Sequence, residues 1–351
     1  MASTVESKTL TAICHCRSVH FKVNVPRELL PLKVHLCHCS VCRYTHGTFC
    51  TFHAPLPKNI QPNFITPSSL NSLTPYNHSH SKSTRYFCST CGCHVGDRGN
   101  TDGRWVISSA IFDENGDENV WKITSHIYTD EAAKDGLWKF LPQINGREIA
   151  VSNSEPPPAP QEDQSKVIQA SENQQLKAAC HCGGVSISIS RPSKDFASDP
   201  ANRKWVLAGK EDKWLGVLDV CDDCRLVSGT NVAAWTFVPL DHISPRPPGN
   251  LLIGSSKDYS SSMGVVRTFC GTCGAVVFYS CADRPGIVDI AAGLLRDPGS
   301  VLAEGWVIWR TGRIAHLSDG MRFDEGFTGG LDEGLQAWAK TKYGELEYFT
   351  V

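Results

Sequence analysis

The stretch "HLCHCSVCRYTHGTF", residues 35–49, packs Cys37, Cys39 and Cys42 into six positions and follows them with Arg43 and Gly47. A near copy, "LDVCDDCRLVSGTN" at 218–231, carries Cys221, Cys224, Arg225 and Gly229 at the same spacing, with Asp219 in place of the first thiol. Two such stretches in one chain point to an internal repeat, and the neighbouring motifs complete it. "CHCRSVHFKV" at 14–23 matches "CHCGGVSISI" at 180–189, and "RYFCSTCG" at 85–92 matches "RTFCGTCG" at 267–274. The first pair is offset by 166 residues and the other two by 182, so the second copy holds 16 extra residues between its first and second motifs. A register held constant from Cys39 to Cys91 is hard to obtain by chance.

At 351 residues and 41% hydrophobic, the chain is long enough for two cores. Between the copies lies "SNSEPPPAPQEDQSKVIQASENQQLK", 152–177, rich in Pro, Glu, Gln and Ser and poor in aromatics, which reads as a linker. The expected organisation is a first domain at 8–145, a linker at 146–175 and a second domain at 176–340. Short β-branched or alternating runs ("VHFKV", "VSISI", "RWVISSAIF", "AVVFYS", "GIVDIAAGLL") end at Gly, Pro, Asn and Asp. Helical periodicity is confined to pieces such as "DEAAKDGLWKFL" and "LDEGLQAWAKTKY". Each half is therefore expected to be mainly β and braced by metal.

Thirty-four basic and thirty-six acidic residues leave a formal charge of −2, which gives no global footprint for nucleic acid or an anionic membrane. The start lacks the basic and apolar regions of a signal peptide, and no run reaches the roughly 18 apolar residues of a membrane span. A cytoplasmic protein with neither nucleic-acid nor membrane partner is expected. In a reducing compartment, sixteen cysteines in close-spaced sets read as metal ligands in preference to disulfides.

Zinc takes four tetrahedral ligands when structural and keeps one position open when catalytic. Cys14, Cys16, Cys88 and Cys91 make one closed four-thiolate set, and Cys180, Cys182, Cys270 and Cys273 repeat it. Cys37, Cys39 and Cys42 remain as three thiolates with no obvious fourth, the arrangement of an open metal to which an incoming sulfur can bind. The competing reading closes that shell with His35, His38, His46 or Cys50; His38, inside the loop between ligands, is expected to point outward.

The C-x-C, C-x-C-x-x-C-R-x-x-x-G and R-x-F-C-x-x-C-G series resembles that of the glutathione-dependent formaldehyde-activating family, also called the centromere protein V/GFA family. The resemblance covers nearly the whole chain as tandem copies, a form similar to fungal members. It implies a β-tent fold in each half, a structural zinc on the outer cysteine pairs, a second zinc at the central triplet, and addition of glutathione to formaldehyde as the founding activity. Two departures stand out. Asp219 in the second triplet either ligates a harder, more Lewis-acidic zinc with Cys221 and Cys224 or is merely solvated. "SHIYTDEAAKDGLW" resembles a His-Ile signature near the family's domain end, where the second half has "WVIWRTGRIAHL"; His126 is read as a core histidine in preference to a site residue.

The preferred reading is a zinc-dependent carbon–sulfur lyase acting on adducts of glutathione, or a similar thiol, with an aldehyde or other electrophile. His38, His46 or His53 is a candidate proton carrier, Asp219 a base if it binds no metal, and Arg43 and Arg225 candidate clamps for a substrate carboxylate. Gly47 and Gly229 are expected to shape the pocket mouth. Thiolate count favours the first half for catalysis, whereas the insert "RPSKDFASDPANRKWVLAGKEDKWLG" offers the second half a lid or substrate-shaping loop. The competing class is a noncatalytic zinc scaffold for a protein partner, with Trp205, Trp214, Trp235, Trp306 and Trp309 building an interface, although core packing accounts for them equally. A zinc ribbon for nucleic acid lacks its basic stripe.

Overall fold

The computed structural model describes residues 6–79, 81–132, 135–152 and 175–350. Of the expected linker, 153–174 lie outside the described residues, while Arg147–Glu148 and Ala150–Ser152 at its start are strands. Each half is a small antiparallel sheet beside a large one, so the chain is mainly β in two sheet-rich units. In the first half, Ser7–Ile13, His20–Pro26 and Asn63–Phe64 form the small sheet. Alternation sets its faces: in "HFKVNVP", Phe21, Val23 and Val25 are buried while Lys22 and Asn24 face solvent.

The large sheet of the first half runs Ala150–Ser152, Trp121–Ile127, Leu32–Cys37, Thr51–Pro55, Trp105–Ser108, His94–Gly99, Ser83–Cys88, Leu73–Tyr76. In the second half the order is Val307–Trp309, Trp214–Asp219, Ala233–Pro239, Ile287–Ala291, Val276–Cys281, Val265–Cys270, Ser256–Ser262. Apart from one extra edge strand in the first half, the orders coincide, which is the sequence repeat expressed as topology. Among the described residues no helix is long and apolar enough to cross a membrane.

The halves are built into each other, and one cluster of buried apolar residues runs through both. The amide of His15 donates to Leu226 O at 3.2 Å, and that of His181 donates to Tyr44 O at 3.0 Å. Gly47 and Gly229 end the short helices Ser40–His46 and Asp222–Ser228 in the left-handed region, at φ of 76° and 74°. Each presses on the partner half: a Cβ at Gly47 would lie 2.4 Å from Val276 O, and one at Gly229 2.2 Å from His94 O. These glycines therefore serve the contact between halves, not a pocket mouth, because only a residue without Cβ permits that approach. The helix Glu325–Tyr343 crosses residue 340 and lays the stripe Phe327, Leu331, Leu335 and Ala339 inward. Phe327 meets Phe52 and Trp338 meets Phe140, so the end of the second half covers the first.

Candidate metal centres and the cavity beside one of them

All sixteen cysteines are free thiols, and fourteen residues gather into four groups able to hold a metal ion. In the first closed set, Cys14 and Cys16 sulfurs are 3.4 Å apart, Cys14 and Cys88 3.8 Å, Cys16 and Cys88 3.5 Å, with Cys91 completing the group. In the second, Cys182 Sγ lies 3.5 Å from both Cys180 and Cys270, and Cys273 completes it. A tetrahedron of thiolates with metal–sulfur bonds near 2.3 Å has an edge of about 3.8 Å, so the donor type and spacing fit a zinc-sized ion. Each set ties the beginning of its half to the hairpin that carries the third motif, joining strands distant in sequence.

The central triplets sit where a strand feeds a short helix. Cys37 ends Leu32–Cys37, and Cys39 caps Ser40–His46, its sulfur accepting the Cys42 N–H at 3.4 Å. In the second half Asp219 Oδ1 takes the Cys221 N–H at 2.8 Å, and Oδ2 lies 3.5 Å from Cys224 Sγ. Burial pushes the Asp219 carboxyl up, which a cation would oppose. Asp219 is thus drawn into a compact donor group and is not a solvated side chain. Among the described residues no fourth Cys, His, Asp or Glu joins either triplet, so His35, His38, His46 and Cys50 do not close the first.

The histidines near the first triplet serve packing. His38 is fully buried, not outward-pointing, because its amide donates to Ile127 O and docks the loop on the strand Trp121–Ile127. His126 Nε2 donates to Leu141 O at 2.9 Å, which leaves its Nδ1 to accept from His38 Nε2, also at 2.9 Å. Burial pulls both imidazoles down, His126 to about 4, so the pair stays neutral. His126 is accordingly a core histidine. His46 stacks on His94 at 3.6 Å and donates from Nδ1 to Cys42 O, with its pKa held well below normal by burial. His35 Nδ1 pairs with the Ser125 hydroxyl, and buried His53 faces Thr51.

Arg43 and Arg225 are spent on protein groups. Arg43 donates to His38 O and Glu131 O, each at 3.1 Å. Arg225 pairs with Asp222 and donates to Ala110 O in the first half. Neither guanidinium is left facing a substrate, because each is tied down locally. Trp205, Trp214 and Trp309 are buried in the core, which accounts for them by packing, whereas Trp235, also buried from bulk solvent, borders the cavity of the second half.

Another arginine stands at each triplet. Arg85 Nη2 lies 3.6 Å from Cys42 Sγ, and Arg267 Nη1 lies 3.4 Å from Cys224 Sγ. Both precede the third motif's first cysteine by three residues, a repeat visible in the sequence. Their surroundings differ. Strand pairing places Asp97 opposite Arg85 and Tyr279 opposite Arg267. Arg85 is therefore neutralised by Asp97 at 3.3 Å, whereas Arg267 holds the Ser261 hydroxyl at 3.0 Å and lies 4.7 Å over the Tyr279 ring.

A cavity of about 980 Å³ opens on the second triplet, with Asp219, Cys221 and Cys224 at its wall. Arg267, Arg310 and His316 line it, as do Trp235, Phe237 and Tyr279. The insert contributes Lys204 to the wall, and Trp205 packs on Phe237 behind it. Arg284 binds Asp289 through two contacts at 2.7 and 3.0 Å, and burial raises Asp289 to about 6.

Paired β units, each with a four-thiolate set and a three-donor set, define the chain as a protein of metal-binding, mainly β domains. It belongs to the glutathione-dependent formaldehyde-activating enzyme family, whose model matches residues 9–131 and 208–310. The second segment begins after Cys180 and Cys182, yet the fold brings both to Cys270 and Cys273. A crystal structure of a Rhodobacter sphaeroides protein is similar at 19% identity, covering 38% of this chain and 98% of that one with a TM-score of 0.24. Comparison with curated proteins gave no match.

Proposed function

We propose that the chain is a zinc-dependent carbon–sulfur lyase acting on adducts between glutathione, or a similar thiol, and an electrophile such as an aldehyde, and that the chemistry sits in the second half. The observation that carries this reading is the cavity opening directly on Asp219, Cys221 and Cys224. Thiolate count alone favours the first half; access favours the second.

A zinc ion held by Asp219, Cys221 and Cys224 would supply an open position at which a substrate sulfur is stabilised as thiolate. Arg267, 3.4 Å from Cys224 Sγ, places a positive charge beside that sulfur-rich corner. In the breaking direction the bond between sulfur and the hydroxyl-bearing carbon cleaves, its electron pair stays on sulfur, and the hydroxyl proton departs as the carbonyl forms. His316, on the cavity wall next to Ala315, which pairs with Asp219, is placed to take that proton and to return it in the reverse direction. Trp235, Phe237 and Val217 give the site an apolar wall that limits water. The closed sets and the first half hold the architecture. The substrate is a small thiol adduct, and neither nucleic acid nor membrane enters the reading.

Turnover of a glutathione–formaldehyde adduct by zinc-loaded protein tests it. Cys221→Ala and Asp219→Ala should abolish turnover, and Cys39→Ala should retain it; the opposite result would move catalysis to the first half.

A further inference from the structure

We propose that the cavity of the second half takes an acidic thiol conjugate whose electrophile-derived part is a flat aromatic group; this rests on the lyase reading above and names its substrate class.

Size is the first observation. A volume of about 980 Å³ lies at the top of the about 300–1,000 Å³ range of small-molecule sites. A one-carbon aldehyde carried on sulfur adds little more than the about 30 Å³ share of one water. The space suits a larger partner on the sulfur.

The wall is the second. Trp235 and Phe237 project to one face of Ala233–Pro239 because strand side chains repeat every two residues, and Tyr279 on Val276–Cys281 adds a third ring to the cavity. Trp235 and Tyr279 ring centres are 6.3 Å apart. At the same strand positions the first half holds His53, Pro55 and Asp97. The rings are thus a property of the half whose triplet borders this cavity, not of the shared fold.

Charge is the third. Arg267 and Arg310 are buried, face the cavity, and have no carboxylate within 4.0 Å among the described residues. Arg310 donates to Arg313 O and Phe349 O, which satisfies hydrogen bonds without neutralising the guanidinium. Buried cations require a counter-charge. In the first half Asp97 supplies one to Arg85; in the second Arg267 has only the Cys224 and Cys221 sulfurs and Arg310 only Asp219, all of them metal donors, so an acidic ligand is the carboxylate partner left to both. The negative charge comes either from the carboxylates of the thiol carrier or from an acid group on the ring, and both present the same carboxylate to the arginines.

Calorimetric titration of the zinc-loaded full chain separates these elements. S-benzylglutathione should bind at least about tenfold more tightly than S-methylglutathione, the ring accounting for the difference. Its dimethyl ester should bind about tenfold more weakly, and S-(4-carboxybenzyl)glutathione dimethyl ester should recover the loss only if the charge belongs on the ring. Trp235→Ala should bring the benzyl-to-methyl ratio toward one. Tyr279→Asp, which installs the first half's arrangement, should do the same and stands in if the Trp235 variant does not fold. Arg310→Gln should shrink the ester effect. Equal affinity for the benzyl and methyl compounds in the unaltered protein would overturn the proposal, as would a ratio untouched by both ring variants. Ring preference without turnover of any adduct would sink the lyase reading and leave this one standing; turnover of aliphatic adducts without ring preference would do the reverse.

Discussion

His15 Nδ1 lies 2.7 Å from the Tyr259 hydroxyl, so the residue between the first two ligands of one closed set is bonded to an edge strand of the other half. His15 Nε2 faces Asp223 at 3.3 Å, which leaves Nδ1 to accept the phenolic proton. The relationship recurs in reverse, with His181, between Cys180 and Cys182, 2.7 Å from the Tyr76 hydroxyl. Each closed cysteine set is therefore held against the opposite half, in the same reciprocal manner as the Gly47–Val276 and Gly229–His94 approaches.

Gly47→Ala and Gly229→Ala should each destabilise by about 3 kcal/mol or more, combining left-handed backbone strain with a Cβ driven into the opposite half's main chain. Gly183→Ala, at φ 73° with nothing within 4 Å of its Cβ, should cost only the strain, about 1 kcal/mol. Urea titration of the three variants checks this; equal costs would show that the close approach carries no energy.

Metal analysis of protein never exposed to chelator should find three to four zinc ions per chain, two on the closed sets and one or two on the triplets. Cys270→Ser should prevent folding, because structural zinc contributes on the order of 10 kcal/mol. A content of two or fewer, or a cooperatively folded Cys270→Ser chain, would contradict the assignment.

The two buried arginines should respond differently to truncation. Arg85→Ala leaves the partly buried Asp97 without its counter-charge and should cost about 2–4 kcal/mol, less than for a fully buried pair. Arg267→Ala leaves no orphaned carboxylate and should cost clearly less while weakening ligand binding. Thermal melts of the zinc-loaded variants, read beside binding, make the comparison.

Asp324 caps the helix Glu325–Tyr343, its Oδ1 accepting the Phe327 N–H at 2.9 Å. Burial raises its carboxyl from 3.8 to about 7, the largest of the influences on it. A raised value means that the folded chain holds the proton more tightly than the unfolded one. The stability it brings is complete below about pH 4 and is lost as pH climbs toward 7. Asn keeps the cap and removes the titration. Asp324→Asn should thus gain on the unaltered protein by up to about 4 kcal/mol at pH 8, each pH unit being worth about 1.4 kcal/mol, and the gain should vanish toward pH 4. Denaturation midpoints across that range test the sign.

The sequence by itself determined the repeat, the mainly β character and the membership of all four donor groups, because those ligands are set by local spacing and by a register constant between copies. The short strands were readable from alternation, as in "VSISI" at 185–189. Where Arg267 points was not, although the arginine recurs three residues before Cys88 and Cys270, since its role depends on Tyr279 standing opposite on another strand. Nor could spacing show that His38 turns inward, that Arg43 and Arg225 are occupied, or that Gly229 meets His94 of the other half. The cavity at Asp219 is decided only by tertiary structure. Its walls come from the insert, from six strands and from the turn before the last helices, and each contributes residues whose meeting depends on how sheets pack and not on any interval along the chain.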